Sequence, residues 1–472
     1  MQKILLFIAS LFYFNFLFSK NEIKSWQGIH ETPLSRLEQQ FADPPVEFAN
    51  HVIWGWEGKM DKKTICNDLD SIKKKGFRAI IFEAGYKLPF KYLSEEWFKA
   101  IRTGVVEAKK RDMKVWIIDE GKYPSGFAGG KFSQERPDLR MQALVIGDTI
   151  QIKRGEVMTN HKIAPEIISA VAVSTSGAPN RTVEINNGKI SFNAGLDDWK
   201  ILLVKSDFRT AVTRAVNNPN GGKDATNSLC DYLNPVAVQQ FIDWTHKQYK
   251  KYLGKELGTT VLGFRGDEPD YAHLPWTPSI VQTFKDTKGY DPTPYLASFF
   301  TASPTIQEQR VKADYWDVWS SLFATHFFKL QADWCAANGV AHITHLNKEH
   351  EMPACVKAEG DYFRALSKVQ IPGVDAIWNQ IWPGTLNDFP KLASSVAHVY
   401  GKPRAFSESF AAYHISPTIP QAKFVVDHQI ARGINFFEFM FWPAGSKHRN
   451  WMSDPGMKGL NKYTNRTTYL MS

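Results

Sequence analysis

The chain has 472 residues, 43% hydrophobic and 22% charged, which excludes a disordered protein. That length allows one large domain with an insertion, or two to three smaller ones. The formal net charge of +9 comes from scattered lysines and arginines rather than basic runs, so nucleic acid is excluded as an expected partner.

Met1 to Ser19 carries one positive charge, Lys3, then an apolar run ending in a small residue. This reads as a secretory signal over residues 1–19, which implies an exported protein, periplasmic or extracellular. Asn15 interrupts the run, and no later stretch has the length of a stable membrane span. Cys66, Cys230, Cys335 and Cys355 lack the spacing of a disulfide framework or a zinc motif.

After a lead-in over residues 20–50, His51 to Trp56 reads as a strand and Lys62 to Lys75 as a helix stopped by Gly76. Arg78 to Glu83 is a second strand, Ser94 to Asp112 a helix, and Lys114 to Glu120 a third strand. These strands are apolar on both faces, as in buried parallel sheets. Residues 51–140 therefore form the first part of a β/α alternation. The rhythm breaks over residues 141–207, where short strand-like runs (Ile146 to Lys153, Ala170 to Ser174, Val183 to Ile185, Ile201 to Lys205) alternate with Gly, Asn and Pro. This segment reads as an inserted β-rich subdomain, with Val212 to Ser228 as the return loop. The alternation resumes within residues 208–472: a helix opened by Asn234-Pro235, a fourth strand Val261 to Glu268, a long helix Ile306 to Asn338, a fifth strand Ala341 to Asn347, a sixth Val374 to Gln380, a seventh Arg404 to Glu408 and an eighth Ile434 to Phe441. Eight strands alternating with helices give an α/β fold, a (β/α)8 TIM barrel with a β-rich insertion after strand 3. The chain stops within the helix after strand eight, so that helix is expected to be truncated.

A barrel of this kind carries its site at the C-terminal ends of its strands. Those ends supply Trp56, Glu83, Asp119, Glu120, Asp267, Glu268, His345, Asn347, Asn379, Glu408 and Trp442, with Glu349 just beyond. Crowded acids beside an apolar wall acquire separated pKa values, so one site can hold an acid and a base. Glu268 and Glu408, on strands four and seven, face each other across the mouth, where two carboxylates can cleave a glycosidic bond. Asp267 has the opposite strand parity to Glu268 and is placed among the binding residues. His345 and Asn347 are read as hydroxyl binders, Glu349 as a third acid, and Trp56 and Trp442 as sugar-facing rings. His342 and His345 differ by three along a strand and face opposite sides, which argues against a His-based zinc. The positive charge would fit a polyanionic, pectic oligo- or polysaccharide.

With these residues in place, the chain resembles glycoside hydrolase family 106, the α-L-rhamnosidases of glycan-degrading bacteria. The resemblance rests on Trp54-Gly55-Trp56, on the Asp119-Glu120-Gly121 run with Pro124-Ser125-Gly126 and Gly129-Gly130, and on Asp231-Tyr232-Leu233-Asn234-Pro235. Gly266-Asp267-Glu268-Pro269, Pro372-Gly373-Val374-Asp375 and Ser407-Glu408-Ser409 complete it. It implies a barrel, exo-acting removal of a terminal deoxy-sugar with inversion, Glu268 and Glu408 as the catalytic pair, and a Ca2+ ion near the site. Two alternatives are a catalytically impaired, glycan-binding remnant of such an enzyme and a metal-dependent barrel hydrolase.

Overall fold

The computed structural model describes residues 32–211, 226–271, 274–385, 387–445 and 450–472. The signal read over residues 1–19 and most of the return loop read over 212–228 lie outside them.

Eight parallel strands close into a barrel: β1 (His51–Trp56), β2 (Ala79–Ala84), β3 (Lys114–Ile118), β4 (Val261–Gly266), β5 (Ala341–Thr344), β6 (Ile371–Ala376), β7 (Phe406–Ser409) and β8 (Phe436–Pro443). Each pairs with its neighbour in chain order, and β1 closes against β8. Successive side chains along a strand point to opposite faces, which divides the core in two. Ile53, Ile81, Trp116, Ile343, Phe406 and Phe436 pack inside the barrel. Trp54, Trp56, Phe82, Ile117, Val374 and Phe437 pack outward beneath the helices.

Two register relations matter for the site. Asp375 on β6 lies opposite Glu408 on β7, and Glu408 opposite Glu438 on β8, so three carboxyls stand abreast on adjacent strands. β6 also corrects the sequence reading, which began that strand at Val374. Pro372 is accepted near a strand's start. Gly373 is needed because a Cβ there would lie 2.1 Å from the Phe406 ring. β6 ends at Ala376 because Trp378 and Asn379 have φ of 53° and 57°, in the left-handed region.

Between β3 and β4 the chain builds a separate sheet from strands Gln142–Ile152, Trp199–Phe208, Ile167–Ser174 and Arg181–Thr182, with Pro275–Trp276 added at its edge. Val157–Lys162 pairs with Lys189–Asn193 as a second, two-stranded sheet. That pair is absent from the sequence reading, and Val183 to Ile185 lies outside any strand, contrary to it. Ile152, Ile190, Phe192, Trp199 and Ile201 form a small core of their own. After β8 the helix Met457–Met471 lies under the start of β1, where Asn465 accepts from the Asn50 N–H at 2.8 Å. The four cysteines are unpaired, and no helix among the described residues is long and apolar enough to cross a membrane.

Candidate active site

The C-terminal ends of the strands open into a cavity of about 660 Å³, within the span of small-ligand sites. Its floor holds Glu83, Asp267, Glu268, Asp375 and Glu408. Ile53, Ile118, Ile377, Phe410, Met440 and Phe441 form apolar wall, and Tyr123, Trp378, Tyr413 and Trp451 add rings.

Beneath the floor lies Arg265, fully buried near the end of apolar β4. Its guanidinium reaches Asp267 at 2.7 Å through Nη1 and Glu438 at 3.1 Å through Nε, and its Nη2 donates to Glu408. Nη2 also lies 2.9 Å from Nε2 of His345, whose Nδ1 is 2.9 Å from the Leu346 carbonyl. Burial and the Arg265 charge would lower the His345 imidazole, but Asp267 and Glu408, each 3.4 Å from Nε2, outweigh them and hold it well above its ordinary value. The Arg265 cation thus fixes carboxyls from β7, from β8 and from the loop just after β4.

The acids separate accordingly. Burial raises the Glu268 carboxyl to about 7, helped by the Asp267 charge. Burial and the Glu408 charge push Asp375 well above the usual range. Burial would raise Asp267 too, but Arg265 outweighs it and holds that carboxyl well below its ordinary value. Glu438 is raised to about 7 by burial, partly offset by Arg265. The site therefore offers a neutral acid at Glu268 beside carboxylates held by a guanidinium.

The named candidates divide into groups. Glu83, Asp267, Glu268, Asn347 and Glu408 line the cavity. Strand parity did not separate Asp267 from Glu268, because β4 ends at Gly266 and Glu268 turns into the cavity at φ 37°. His345 and Glu349 lie just below, both buried; the Glu349 carboxyl accepts from the Leu346 N–H at 3.0 Å and is raised to about 8 by burial. Asn379 stands outside the lining and braces the rim, accepting from His414 N–H at 2.9 Å.

Four candidates are corrected. Trp56 and Trp442 are buried in the outer layer, because Ile53 and Phe441 on the same strands take the inward positions. Asp119 accepts from the Ser125 hydroxyl at 2.6 Å, and that hydroxyl accepts from the Asp267 N–H at 2.7 Å. Glu120 accepts from Gly121 N–H at 2.7 Å, Gly129 N–H at 3.1 Å and Ala128 N–H. Both acids hold the loop that brings Lys122 and Tyr123 to the cavity, rather than touching its space.

Arg265, Asp375, Glu438 and Lys122 were missed. Arg265 and Glu438 had a readable signal: each is a charge inside an otherwise apolar strand. Asp375 was hidden by the misplaced β6. Lys122 is paired with Glu83 at 2.9 Å and carries no motif of its own.

Two groups among the described residues offer three donors within 4.8 Å of one another: Asp267, His345 and Glu408, and Glu268, His345 and Asp375. Calcium takes about six to eight oxygen donors. Both groups draw on the single His345 imidazole, and the Arg265 guanidinium already binds Asp267 and Glu408 of the first. These residues do not fit a calcium cage.

A family model described as alpha-L-rhamnosidase, glycoside hydrolase 106, matches residues 158–467. A curated protein of Formosa agariphila, provisionally named a beta-glucuronidase, is 23% identical over 484 aligned positions, covering 90% of this chain and 39% of its own length. The structure of a rhamnosidase from Novosphingobium sp. PP1Y matches with TM-score 0.70 and 15% identity, over 93% of this chain and 61% of that one. That likeness is one of fold. The chain spans less than two thirds of either relative.

Proposed function

The chain belongs to the alpha-L-rhamnosidase family, glycoside hydrolase 106, and on that premise we propose that it is an exo-acting glycosidase removing a terminal deoxy-sugar, of the L-rhamnose kind, from a plant or microbial glycan. The observation that carries this reading is the pair Glu268 and Glu408 on one cavity floor. Glu268 is raised to about 7 and keeps its proton near neutrality, while Glu408 is held on Arg265. Glu268 gives its proton to the glycosidic oxygen as the bond to the anomeric carbon breaks. Glu408 takes a proton from the water that attacks that carbon from the opposite face, so the products are the free sugar and the shortened glycan. Inversion, which the family resemblance implies, is checked by proton NMR of the first-formed anomer.

The lining favours a neutral terminal sugar. Lys122 is already paired with Glu83, and a uronate on the floor would meet Asp267 and Glu408 with no unpaired cation beside them among the described residues. The apolar wall of Ile53, Ile118, Met440 and Phe441 suits the methyl group of a 6-deoxy-sugar. Export to the periplasm or the outside is part of this proposal, supported by the apolar run of residues 1–19. Calcium stays a proposal from the resemblance alone, tested by chelation and calcium add-back with both melting temperature and turnover read.

The test is a panel of aryl glycosides. Aryl α-L-rhamnoside is expected to be cleaved, and Glu268→Gln and Glu408→Gln should each lower kcat by about 10²–10⁴-fold with unchanged circular dichroism. Cleavage of aryl β-glucuronide instead, or full turnover in both variants, overturns the proposal.

A further inference from the structure

The family resemblance implies a Ca2+ ion near the site, but the floor already holds a cation of its own. Of the two groups of three donors among the described residues, one is Asp267, His345 and Glu408. The terminal nitrogens of Arg265 reach all three of its members. Nη1 lies 2.7 Å from Asp267; Nη2 lies 2.9 Å from His345 and donates to Glu408. The other group, Glu268, His345 and Asp375, shares the same ring, and with that ring engaged it has two carboxyls left.

The local sequence explains how a guanidinium comes to stand there. The pairing of β4 with β3 slips by one residue between Val261 and Gly263. After the slip Phe264 packs outward beneath the helices, while Gly263 and Arg265 face the barrel interior. A Cβ at Gly263 would lie 2.1 Å from the Ala341 carbonyl oxygen and 2.4 Å from the inward Trp116 ring, so only glycine fits one layer below the arginine. Taking a guanidinium out of water is costly unless several well-placed partners offset the loss. Arg265 has three, the carboxyls of Asp267, Glu408 and Glu438, and no exposed surface. A guanidinium also keeps its charge at any pH a folded protein meets, whereas a bound metal leaves as its ligands protonate.

We propose that Arg265 is the resident cation of the catalytic floor, standing in the place of a metal ion: it positions Glu408 as the base, and hydrolysis draws on no calcium there. This rests on the glycosidase reading and departs from what the family resemblance implies, so calcium at the floor and this assignment exclude each other. Arg265 touches Glu408 rather than substrate, which makes it a positioning residue.

The experiment has a wild-type arm and a variant arm. In wild type, exhaustive treatment with EDTA and then added Ca2+ should leave kcat on aryl α-L-rhamnoside unchanged. Calorimetric titration with Ca2+ should show no binding that Asp267→Asn abolishes. Arg265→Ala should lower kcat about 10²–10⁴-fold, the worth of the base it positions, with KM little changed. Guanidinium chloride at millimolar concentration should restore part of that loss in the variant and leave wild type as it was, which a merely structural arginine would not allow. Loss of wild-type turnover on chelation, Ca2+ binding that Asp267→Asn abolishes, or a folded Arg265→Ala variant with full turnover or no guanidinium rescue overturns the proposal while the glycosidase reading stands. Where Arg265→Ala does not fold, the wild-type arm decides. If no glycoside turns over, the glycosidase reading falls, and the calorimetry alone decides which cation holds the floor.

Discussion

Arg265 contacts Asp267, Glu408 and Glu438 together, and it has no exposed surface. Removing one member of a buried ion cluster leaves the others uncompensated, at a cost of about 3–5 kcal/mol. Arg265→Met should therefore lower the urea midpoint strongly at pH 7 and less at pH 5, where the freed carboxyls can take up protons; equal losses at both pH values would refute the electrostatic account. Glu268 gives the second residue-scale prediction. Its proton is needed for leaving-group departure, and burial with the Asp267 charge sets its value at about 7. Activity should fall as pH rises through about 7, and Glu268→Gln should abolish that basic limb; a limb unchanged in the variant assigns it to another group. At this scale the sequence was legible where a carboxylate ends a strand, as at Glu83 and Glu408. It was misleading where parity had to be carried past a strand's true end, as at Glu268, or where a ring could face either side, as at Trp56. Those choices depend on which neighbour takes the inward position, and only tertiary packing decides that.

The loop after β3 shows how an element can carry function through acids that touch no ligand. The Glu120 carboxyl oxygens accept from the N–H groups of Gly121, Ala128 and Gly129, and each buried N–H left unpaired costs about 1–3 kcal/mol. Glu120→Ala should lower the melting temperature and, by releasing Lys122 and Tyr123, raise KM; a fall in kcat with an unchanged melting temperature would instead place Glu120 against the substrate. β6 and β7 give a steric counterpart. A Cβ at Gly373 would sit 2.1 Å from the fully buried Phe406 ring, and overpacking of this kind costs about 1–3 kcal/mol. Gly373→Ala should destabilise the fold and reduce turnover together, because the same pairing sets Asp375 against Glu408. An unperturbed melting temperature would show that the ring has room to move. Apolar runs bounded by helices made most barrel strands legible. β6 was displaced because Pro372 and Gly373 read as punctuation, while in the barrel one sits near a strand's start and the other makes way for a ring.

Across the whole molecule, burial traps protons on acids outside the cavity lining as well as on it. Asp119 and Asp231 are raised to about 7, and Glu120 and Glu349 to about 8, in each case chiefly by burial. In the unfolded chain these groups release their protons near pH 4. Each raised acid therefore contributes stability that is full below about pH 4 and is lost as pH rises through its folded value. Three buried histidines act in the opposite sense. His342 is lowered to about 3 by burial, and His51 and His246 are lowered well below their ordinary value by the same cause. They stay neutral in the fold while the unfolded chain protonates below about 6.5, so they destabilise the acid side. The two sets oppose each other between about pH 4 and 6.5. Above that the raised acids remain linked to folding, with a slope of about 1.4 kcal/mol per pH unit for each one still protonated, and His345, held well above its ordinary value, acts in the same sense. The melting temperature should therefore fall by several degrees between pH 6.5 and 8, and Glu349→Gln should flatten that fall because the amide has no proton to lose. A melting temperature that is level or rising across this window would mean that these acids ionise in the fold.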